Sequence, residues 1–542
     1  MSGALIIQSD FTAILEVSHP QFVEVKDEII KFCEVQQAND LVYIFKLTDL
    51  SIWNAAALEI SFKEILATLQ KHSRYDIPQE VIYQINKWYD LFGIVELHKH
   101  EDNLLYVKFK DAKLLEKSLK DNKIKQYIHS EYEQGFLITD NFRGEIKSLL
   151  MKINIPVDDK IGFTEGFHVE TKIIPRVHED PRYCYQGPAA KAAFISGNST
   201  IIGPCGCGKT IIGINLMGLC ETSTLIVTNS QASVKQWKKT ILALTNIPEE
   251  MVGTYDKKNK EIKPITITTY NMISFKYKGE LIHFPKFRDY NFGLLILDEV
   301  HLMPAQMFRI VSSFQAVKRM ALTATFVRED GREKDIFTLI GPKRYEKSWK
   351  DLEELGFIAS VTLQEIRVPM DAETKDRYNH ASNFKQKFKI AATSPSKLVA
   401  IKEIMKKHPD GKFLIIGEFT DNLIELGKKL DVPVVYGDTP NEVREEWYDK
   451  MRKGDINKLI ASRVANAALD IPDISIVIQV SFQYGSRNEE TQRVGRCTRP
   501  KDKPAYFYTL VSKDTKEENY NFNRQQFLTN EGYNYEIKEM AA

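Results

Sequence analysis

The octet Gly203-Pro204-Cys205-Gly206-Cys207-Gly208-Lys209-Thr210 has the G-x-x-x-x-G-K-T spacing of a phosphate-binding loop. The chemistry requires these residue types. Gly203, Gly206 and Gly208 let backbone amides turn inward toward phosphate oxygens, Lys209 reaches the β- and γ-phosphates, and Thr210 holds Mg²⁺. Ile201-Ile202 before it reads as a strand, and the run after it reads as a helix whose positive end favours anions. With that context the octet marks a nucleotide site. Downstream, Leu294-Leu295-Ile296-Leu297 runs into Asp298-Glu299-Val300-His301. A buried strand ending in two carboxylates puts Asp298 where it can bind Mg²⁺ and Glu299 where it can polarise an attacking water. Alone, the pattern also describes any strand that stops at polar residues; the phosphate loop upstream favours chemistry. In Gln492-Arg493-Val494-Gly495-Arg496-Cys497-Thr498-Arg499 the arginines recur every third residue, so a helix would set them along one side. Guanidinium groups there suit the charge developing on a γ-phosphate, although a basic surface helix has the same look.

These residues need a scaffold, and the pattern around them supplies one. From about residue 183, short β-rich runs alternate with longer helical stretches: Ile201-Ile202, Leu225-Ile226-Val227, Ile265-Thr266-Ile267 and Leu294-Leu295-Ile296-Leu297. The alternation recurs at Phe413-Leu414-Ile415-Ile416, Val434-Val435-Tyr436, Lys458-Leu459-Ile460-Ala461 and Ile476-Val477-Ile478. Strand-helix-strand alternation implies a parallel sheet with helices on both faces, and two α/β domains fit better than one large sheet. Residues 1–165 mix strands (Leu41–Phe45, Leu104–Phe109) with helical runs (Ser61–Leu69, Pro78–Ile85), an α+β pattern that suggests a winged-helix-like part. Residues 346–395 break the α/β rhythm. From Glu373 to Lys407 there are nine Lys/Arg against three Asp/Glu, with Tyr378, Phe384 and Phe388 interleaved. That composition suits contacts to nucleic-acid backbone and bases, and equally a solvated helical face.

A chain of 542 residues is too long for one core, so three or four domains are expected. The composition, 43% hydrophobic and 27% charged, is that of ordinary globular protein. A net charge of +1 leaves room for a basic face balanced by acidic groups elsewhere. The six cysteines include no Cys-x-x-Cys pair and suit a reducing compartment. Cys205 and Cys207 are too few for structural zinc and lie where the loop contributes mainly backbone. Asp10 and Glu16 interrupt the N-terminal apolar stretches, so no signal peptide is expected. No apolar run approaches the roughly 18 residues of a membrane span. The expectation is a soluble, cytoplasmic protein, nucleoid-associated if bacterial, with no membrane partner.

The phosphate loop, Asp-Glu-Val-His, Leu322-Thr323-Ala324-Thr325 and Gln-Arg-x-Gly-Arg-x-x-Arg occur in the order of the superfamily 2 helicase motifs. Further stretches resemble the XPB DNA-repair helicases, bacterial members especially. They are Leu322 through Asp330 with its Arg-Glu-Asp element, Leu339 through Glu346, Tyr508 through Thr515, Arg524 through Leu528, and Leu50 through Ala57. The resemblance covers nearly the whole chain. It implies two RecA-like lobes in tandem with ATP between them: an N-terminal accessory domain at 1–165 (winged-helix-like and damage-recognition-like parts), a first lobe at 166–345, a thumb-like insertion at 346–395 and a second lobe at 396–542. It assigns Gln186 to adenine recognition, Arg496 and Arg499 to arginine fingers and Gln492 to coupling at ATP. Thr323 and Thr325 would link hydrolysis to lobe movement, and Arg328, Glu329 and Asp330 would open DNA. The implied activity is ATP- and Mg²⁺-dependent translocation on single-stranded or forked duplex DNA with 3′-to-5′ unwinding. A nuclease or a repair complex is the implied protein partner. The chain departs from the family at Ala465 and Asn466, where relatives often carry glycine and an acidic residue; Asp470 is kept. Other readings are a duplex translocase or remodelling ATPase that separates no strands, action on RNA, and a non-catalytic scaffold. The intact Lys209, Asp298, Glu299, Arg496 and Arg499 argue against the scaffold.

Overall fold

The computed structural model describes residues 3–38, 41–101, 103–174, 183–204, 206–304, 307, 310–311, 314–324, 340–348, 352–353, 360–462, 474–482, 505–519, 521, 525, 533 and 535–540. The chain divides into two compact units, residues 1–203 with 208–347 and residues 348–542 with 204–207.

The first unit begins with β1 (Leu5–Ile7), β2 (Thr12–Glu16), α1 (Phe22–Ile29), β3 (Glu34–Ala38) and β4 (Val42–Lys46), an antiparallel sheet in the order β1-β2-β4-β3. Helices α2 (Asp49–Ala57), α3 (Phe62–His72) and α4 (Gln79–Leu91) follow. Thr48 and Ser61 start α2 and α3 with capping boxes, which satisfy amide donors that a helix start leaves open. Next come β5 (Val95–Lys99), β6 (Leu104–Phe109), α5 (Ala112–Lys120), α6 (Asn122–Lys125), β7 (Ile128–Tyr132), β8 (Gly135–Thr139), α7 (Arg143–Lys152) and β9 (Val157–Asp159). The strand pair β5/β6 follows two helices as the sequence suggests. It also continues into a five-stranded sheet, β7-β8-β6-β5-β9, built on Val95, Leu97, Val107, Phe136 and Ile138.

The α/β part holds α8 (Gln186–Ser196), β10 (Asn198–Ile202), α9 (Lys209–Cys220), β11 (Thr224–Thr228), α10 (Gln231–Leu244), β12 (Val252–Tyr255) and β13 (Ile265–Thr269). Then come α11 (Tyr270–Ile273), the hairpin β14 (Lys276–Tyr277) and β15 (Glu280–Leu281), α12 (Phe284–Asp289), β16 (Leu294–Asp298), β17 (Lys318–Thr323) and β18 (Lys343–Glu346). The seven parallel strands run β12-β13-β11-β16-β17-β10-β18. Helices cover both faces, so the inner strands read as unbroken apolar runs. Leu294, Leu295, Ile296 and Leu297 are all fully buried, each stabilising the sheet by about 1.5–3 kcal/mol.

Strand β18 joins this sheet to the N-terminal part. Arg344 is fully buried, and its guanidinium donates to the carbonyls of Ile30, Lys31 and Cys33 just past α1. Lys343 Nζ donates to Gln36 O at 2.9 Å, and Lys191 pairs with Asp27 at 2.7 Å. A cation at the carbonyl end of a helix is favourable, and burial strengthens the contact.

The second unit has its own seven-stranded parallel sheet: β19 (Val361–Val368), β20 (Phe413–Gly417), β21 (Val434–Val435), β22 (Lys458–Ser462), β23 (Ile476–Gln479), β24 (Ala505–Ser512) and β25 (Tyr535–Glu539). Their order is β21-β22-β20-β23-β24-β19-β25. Two α/β units with parallel sheets in tandem are the fold class expected. One boundary needs correction. Val361–Val368 lies inside the second sheet between β24 and β25, so residues 346–395 are not set apart along their whole length. The aromatic residues beyond it also turn inward. Phe388 packs with Phe482 and Val511, and Tyr378 is buried with its hydroxyl accepting from the Lys516 amide. These two rings are core, which favours the plainer reading of that segment. No helix among the described residues is long and apolar enough to cross a membrane.

Candidate nucleotide site

Three strand ends converge in the first unit. Strand β10 leads into the phosphate loop, β16 ends at Asp298, and β17 ends at Thr323. β10 and β16 both pair with β17, in parallel. Gly203 N donates to Thr323 O at 3.0 Å, which ties the loop's first residue to the end of β17. Gly206 and Gly208 have φ of 86° and 80°, a region that side-chain-bearing residues rarely enter. At Gly208 space matters too, since a Cβ would meet Gln186 Nε2 at 2.3 Å. Gln186, nearly fully buried at the start of α8, therefore lies directly against the loop.

Lys209 and Thr210 open α9. Lys209 is buried, with Nζ 3.1 Å from Gly203 O and 3.3 Å from Glu299 Oε1. Glu299 sits at φ 51°, ψ 50°, a left-handed conformation that costs a non-glycine residue about 1 kcal/mol or more. This turn at the end of β16 sends Asp298 and Glu299 in different directions from adjacent positions. His301 Nδ1 lies 3.3 Å from Glu299 Oε2 and 2.8 Å from Thr323 Oγ1. A continuous polar line thus runs Gly203–Lys209–Glu299–His301–Thr323.

The two carboxylates have opposite electrostatics. Burial, with the neighbouring charge of Glu299, pushes the Asp298 pKa above the usual carboxylate value, against a hydrogen bond from Trp237. For Glu299 burial acts upward as well, but Lys209 and His301 outweigh it and hold the pKa below the usual value. Glu299 is therefore the more readily ionised member, and Asp298 is a buried oxygen donor whose charged form a cation would favour. Its carboxylate accepts from the Trp237 indole N–H at 2.8 Å, and its carbonyl accepts from the Tyr270 hydroxyl at 2.8 Å.

Of the residues expected from sequence, Gln186, Gly203, Gly208, Lys209, Asp298, Glu299 and Thr323 are linked by these contacts. Gly206 and Thr210 sit in the loop and at the first turn of α9. Thr325, Arg328, Glu329, Asp330, Gln492, Arg496 and Arg499 lie outside the described residues, as do Cys205, Ala465, Asn466 and Asp470. Three residues carry no sequence-derived role yet belong here. His301 lies within the Asp-Glu-Val-His tetrad, so its position was available. Trp237 and Tyr270 reach Asp298 from distant parts of the chain, with no local signal.

The chain is similar to known proteins along its whole length. Residues 352–541 match the family described as ERCC3/RAD25/XPB C-terminal helicase, residues 5–133 a helicase conserved C-terminal domain, and residues 190–328 the res subunit of type III restriction enzymes. The chain is 37% identical over 542 residues to the DNA 3′-5′ helicase XPB of Mycobacterium tuberculosis, spanning 99% of this chain and 98% of that one. Its identity to the protein of the same name from Kineococcus radiotolerans is 37% over 539 residues, spanning 99% and 96%. It is also 31% identical over 564 residues to the general transcription and DNA repair factor IIH helicase/translocase subunit XPB of Enterocytozoon bieneusi, spanning 98% and 92%. With the ordered motifs, the polar line behind the phosphate loop and identity sustained from end to end, the chain belongs to the XPB helicase family.

Proposed function

We propose that the chain is an ATP-driven DNA motor that translocates 3′ to 5′, separates strands and serves DNA repair in the cytoplasm, where a nuclease or a repair complex is its partner. The observation that carries the reading is the line from Lys209 through Glu299 and His301 to Thr323. Thr210 and Asp298 are hard oxygen donors suited to Mg²⁺, and a second, partly buried carboxylate beside Asp298 favours a cation there. When bound, ATP would supply the phosphoanhydride whose cleavage drives the motor, and Mg²⁺ held by Thr210 and Asp298 would neutralise charge on its phosphates. Lys209 exchanges Glu299 for phosphate oxygens. Glu299, released and ionised, orients and polarises the water. His301 follows Glu299 and passes its position to Thr323 at the end of β17, where the Thr323–Thr325 segment begins. Gln186 reads the base, Arg496 and Arg499 meet charge at the γ-phosphate, and Gln492 couples them to ATP. Arg328, Glu329 and Asp330 act on single-stranded or forked duplex DNA.

A second reading, translocation along duplex without strand separation, is favoured by the helicase/translocase name of the Enterocytozoon bieneusi relative. ATP hydrolysis measured without nucleic acid and with single-stranded DNA, forked duplex and RNA, beside Glu299→Gln, tests the motor. DNA stimulation absent from the variant is expected, and stimulation by RNA alone would sink the DNA reading. A strand-separation assay run beside triplex displacement decides between unwinding and duplex translocation.

A further inference from the structure

Trp237 is the largest side chain at the site, and no part of the hydrolysis chemistry uses it. It lies on the inner face of α10, 1% exposed, while Lys235 and Lys239 on the same helix face outward. Its indole N–H donates to Asp298 Oδ2 at 2.8 Å, a contact 61 residues apart in sequence and wholly out of solvent. The ring is fixed from a third side by α9, the helix that begins with Lys209 and Thr210. A Cβ at Gly213 would fall 2.5 Å from the indole Cη2 and 3.2 Å from Cζ3, so glycine there leaves the ring its place. A buried indole N–H without an acceptor would cost on the order of 1–3 kcal/mol, so the contact is held firmly. One planar group thus locks the carboxylate of β16 against two helices.

We propose that Trp237 is a positioning residue for Asp298: its N–H sets the plane of the carboxylate, so that the oxygen facing the nucleotide is pre-aimed at Mg²⁺. A ligating carboxylate that is free to rotate binds its metal more weakly, because ordering it draws on the binding free energy. The inference rests on the reading of Asp298 as the Mg²⁺ ligand, and the test separates the two.

The readout is nucleotide binding, not turnover. Affinity for β,γ-imido-ATP is measured by calorimetry with and without Mg²⁺ on the full chain, for the parent, Asp298→Asn, Trp237→Phe, and a protein carrying β-(3-benzothienyl)alanine at position 237. The last side chain keeps the shape of indole and replaces only N–H by sulfur, so it removes the donor with little change in packing. The parent should bind more tightly with Mg²⁺, and Asp298→Asn should lose that gain. The benzothienyl protein should lose about tenfold of it, the scale expected when a partner that orients a metal ligand is removed. Its Mg²⁺-free affinity should match the parent, and its thermal midpoint should fall only by what one hydrogen bond lost from a buried carboxylate costs. Full retention of the Mg²⁺ gain in the benzothienyl protein overturns the positioning role while leaving Asp298 as ligand. An equal loss with and without Mg²⁺ overturns it too, because Trp237 would then only support the fold. A parent with no Mg²⁺ gain, or Asp298→Asn that keeps it, removes the underlying reading and the inference with it.

Discussion

The two seven-stranded sheets have the same connectivity: numbered along the chain within each sheet, both read 3-4-2-5-6-1-7. The residues just past their strands differ. In one, the first strand β10 runs into Gly203, Gly206 and Gly208. In the other, β19 runs into Pro369-Met370-Asp371, and Asp371 simply caps the helix Ala372–His380 by accepting from Thr374 N at 2.8 Å. The central strands diverge in the same way. β16 ends in Asp298 and Glu299, one carboxyl pushed up in pKa and the other on a left-handed residue. β23 ends at Gln479, and behind it lies a buried ion pair, Lys397 with Glu517 at 3.0 Å. That pair is closed on itself: Lys397 Nζ also donates to Val480 O at 2.9 Å, and Glu517 accepts from Ser512 N at 2.9 Å. The comparison teaches that charge alone does not mark a site on this scaffold. Lys397 is satisfied by groups that belong to the fold, whereas Lys209 is held by the Gly203 carbonyl and by the carboxylate of a left-handed residue, contacts that the proposed phosphate would replace.

The largest expected effect breaks the active side of this contrast. Glu299→Gln should lower the turnover of ATP about 10³-fold, the scale of losing a group that activates water, while nucleotide still binds. Lys209→Ala should weaken binding itself, and equal loss of binding in the two variants would show the roles assigned wrongly. Next comes the closed pair. Glu517→Gln leaves a buried ammonium without its counter-charge and should destabilise the second unit by about 3–5 kcal/mol. Lys397→Met combined with Glu517→Leu should return most of that stability. Hydrogen exchange along β23 and β24 reads both, and a double variant as unstable as the single one would mean that the bonds to Val480 O and Ser512 N, not the charge pairing, carry the stability. Smaller again, Thr323→Val removes the hydroxyl beside His301 and should lower DNA-stimulated hydrolysis about tenfold, the scale of one buried hydrogen bond. An unchanged stimulated rate would cut the proposed link from Glu299 to β17.

How much of the fold and the site was legible in the sequence depends on how local each feature is. The phosphate loop and the inner strands could be read because spacing and unbroken apolar runs are local properties. Strand β19 could not. It reads Val-Thr-Leu-Gln-Glu-Ile-Arg-Val, and its polar residues are buried because distant partners satisfy them: Glu365 accepts from Asn521 at 2.8 Å and Gln525 at 3.0 Å. A strand whose buried carboxylate is paired with Arg367 beside it and hydrogen-bonded by amides more than a hundred residues away looks, from its own composition, like a break in the sheet. The basic segment after it left two readings open, because alternating lysines and aromatics do not say which of them face inward. Trp237 was hidden for the same reason as Glu365, its acceptor lying on another strand.

The smallest effect is the sharpest discriminator between the two units, because each contains a helical glycine pressed against a neighbour. Gly213→Ala in α9 would put its Cβ 2.5 Å from the Trp237 ring edge. Gly427→Ala, in the helix Thr420–Leu430, would put one 2.3 Å from Val434 Cγ2 and 3.0 Å from Val432 O. Both substitutions gain about 1 kcal/mol of helix propensity and both overpack, at a cost of about 1–3 kcal/mol, so their thermal midpoints should fall slightly and by similar amounts. Their consequences for the metal should part. The indole in the first case must shift to relieve the 2.5 Å contact, carrying the Asp298 hydrogen bond with it, and the Mg²⁺-dependent gain in nucleotide affinity should drop about threefold. Gly427→Ala presses on Val434 and on the Val432 carbonyl, both in the second unit, and its Mg²⁺ gain should equal that of the parent. Equal behaviour of the two variants would mean that the first sheet tolerates movement around Asp298 as readily as the second tolerates it around Val434.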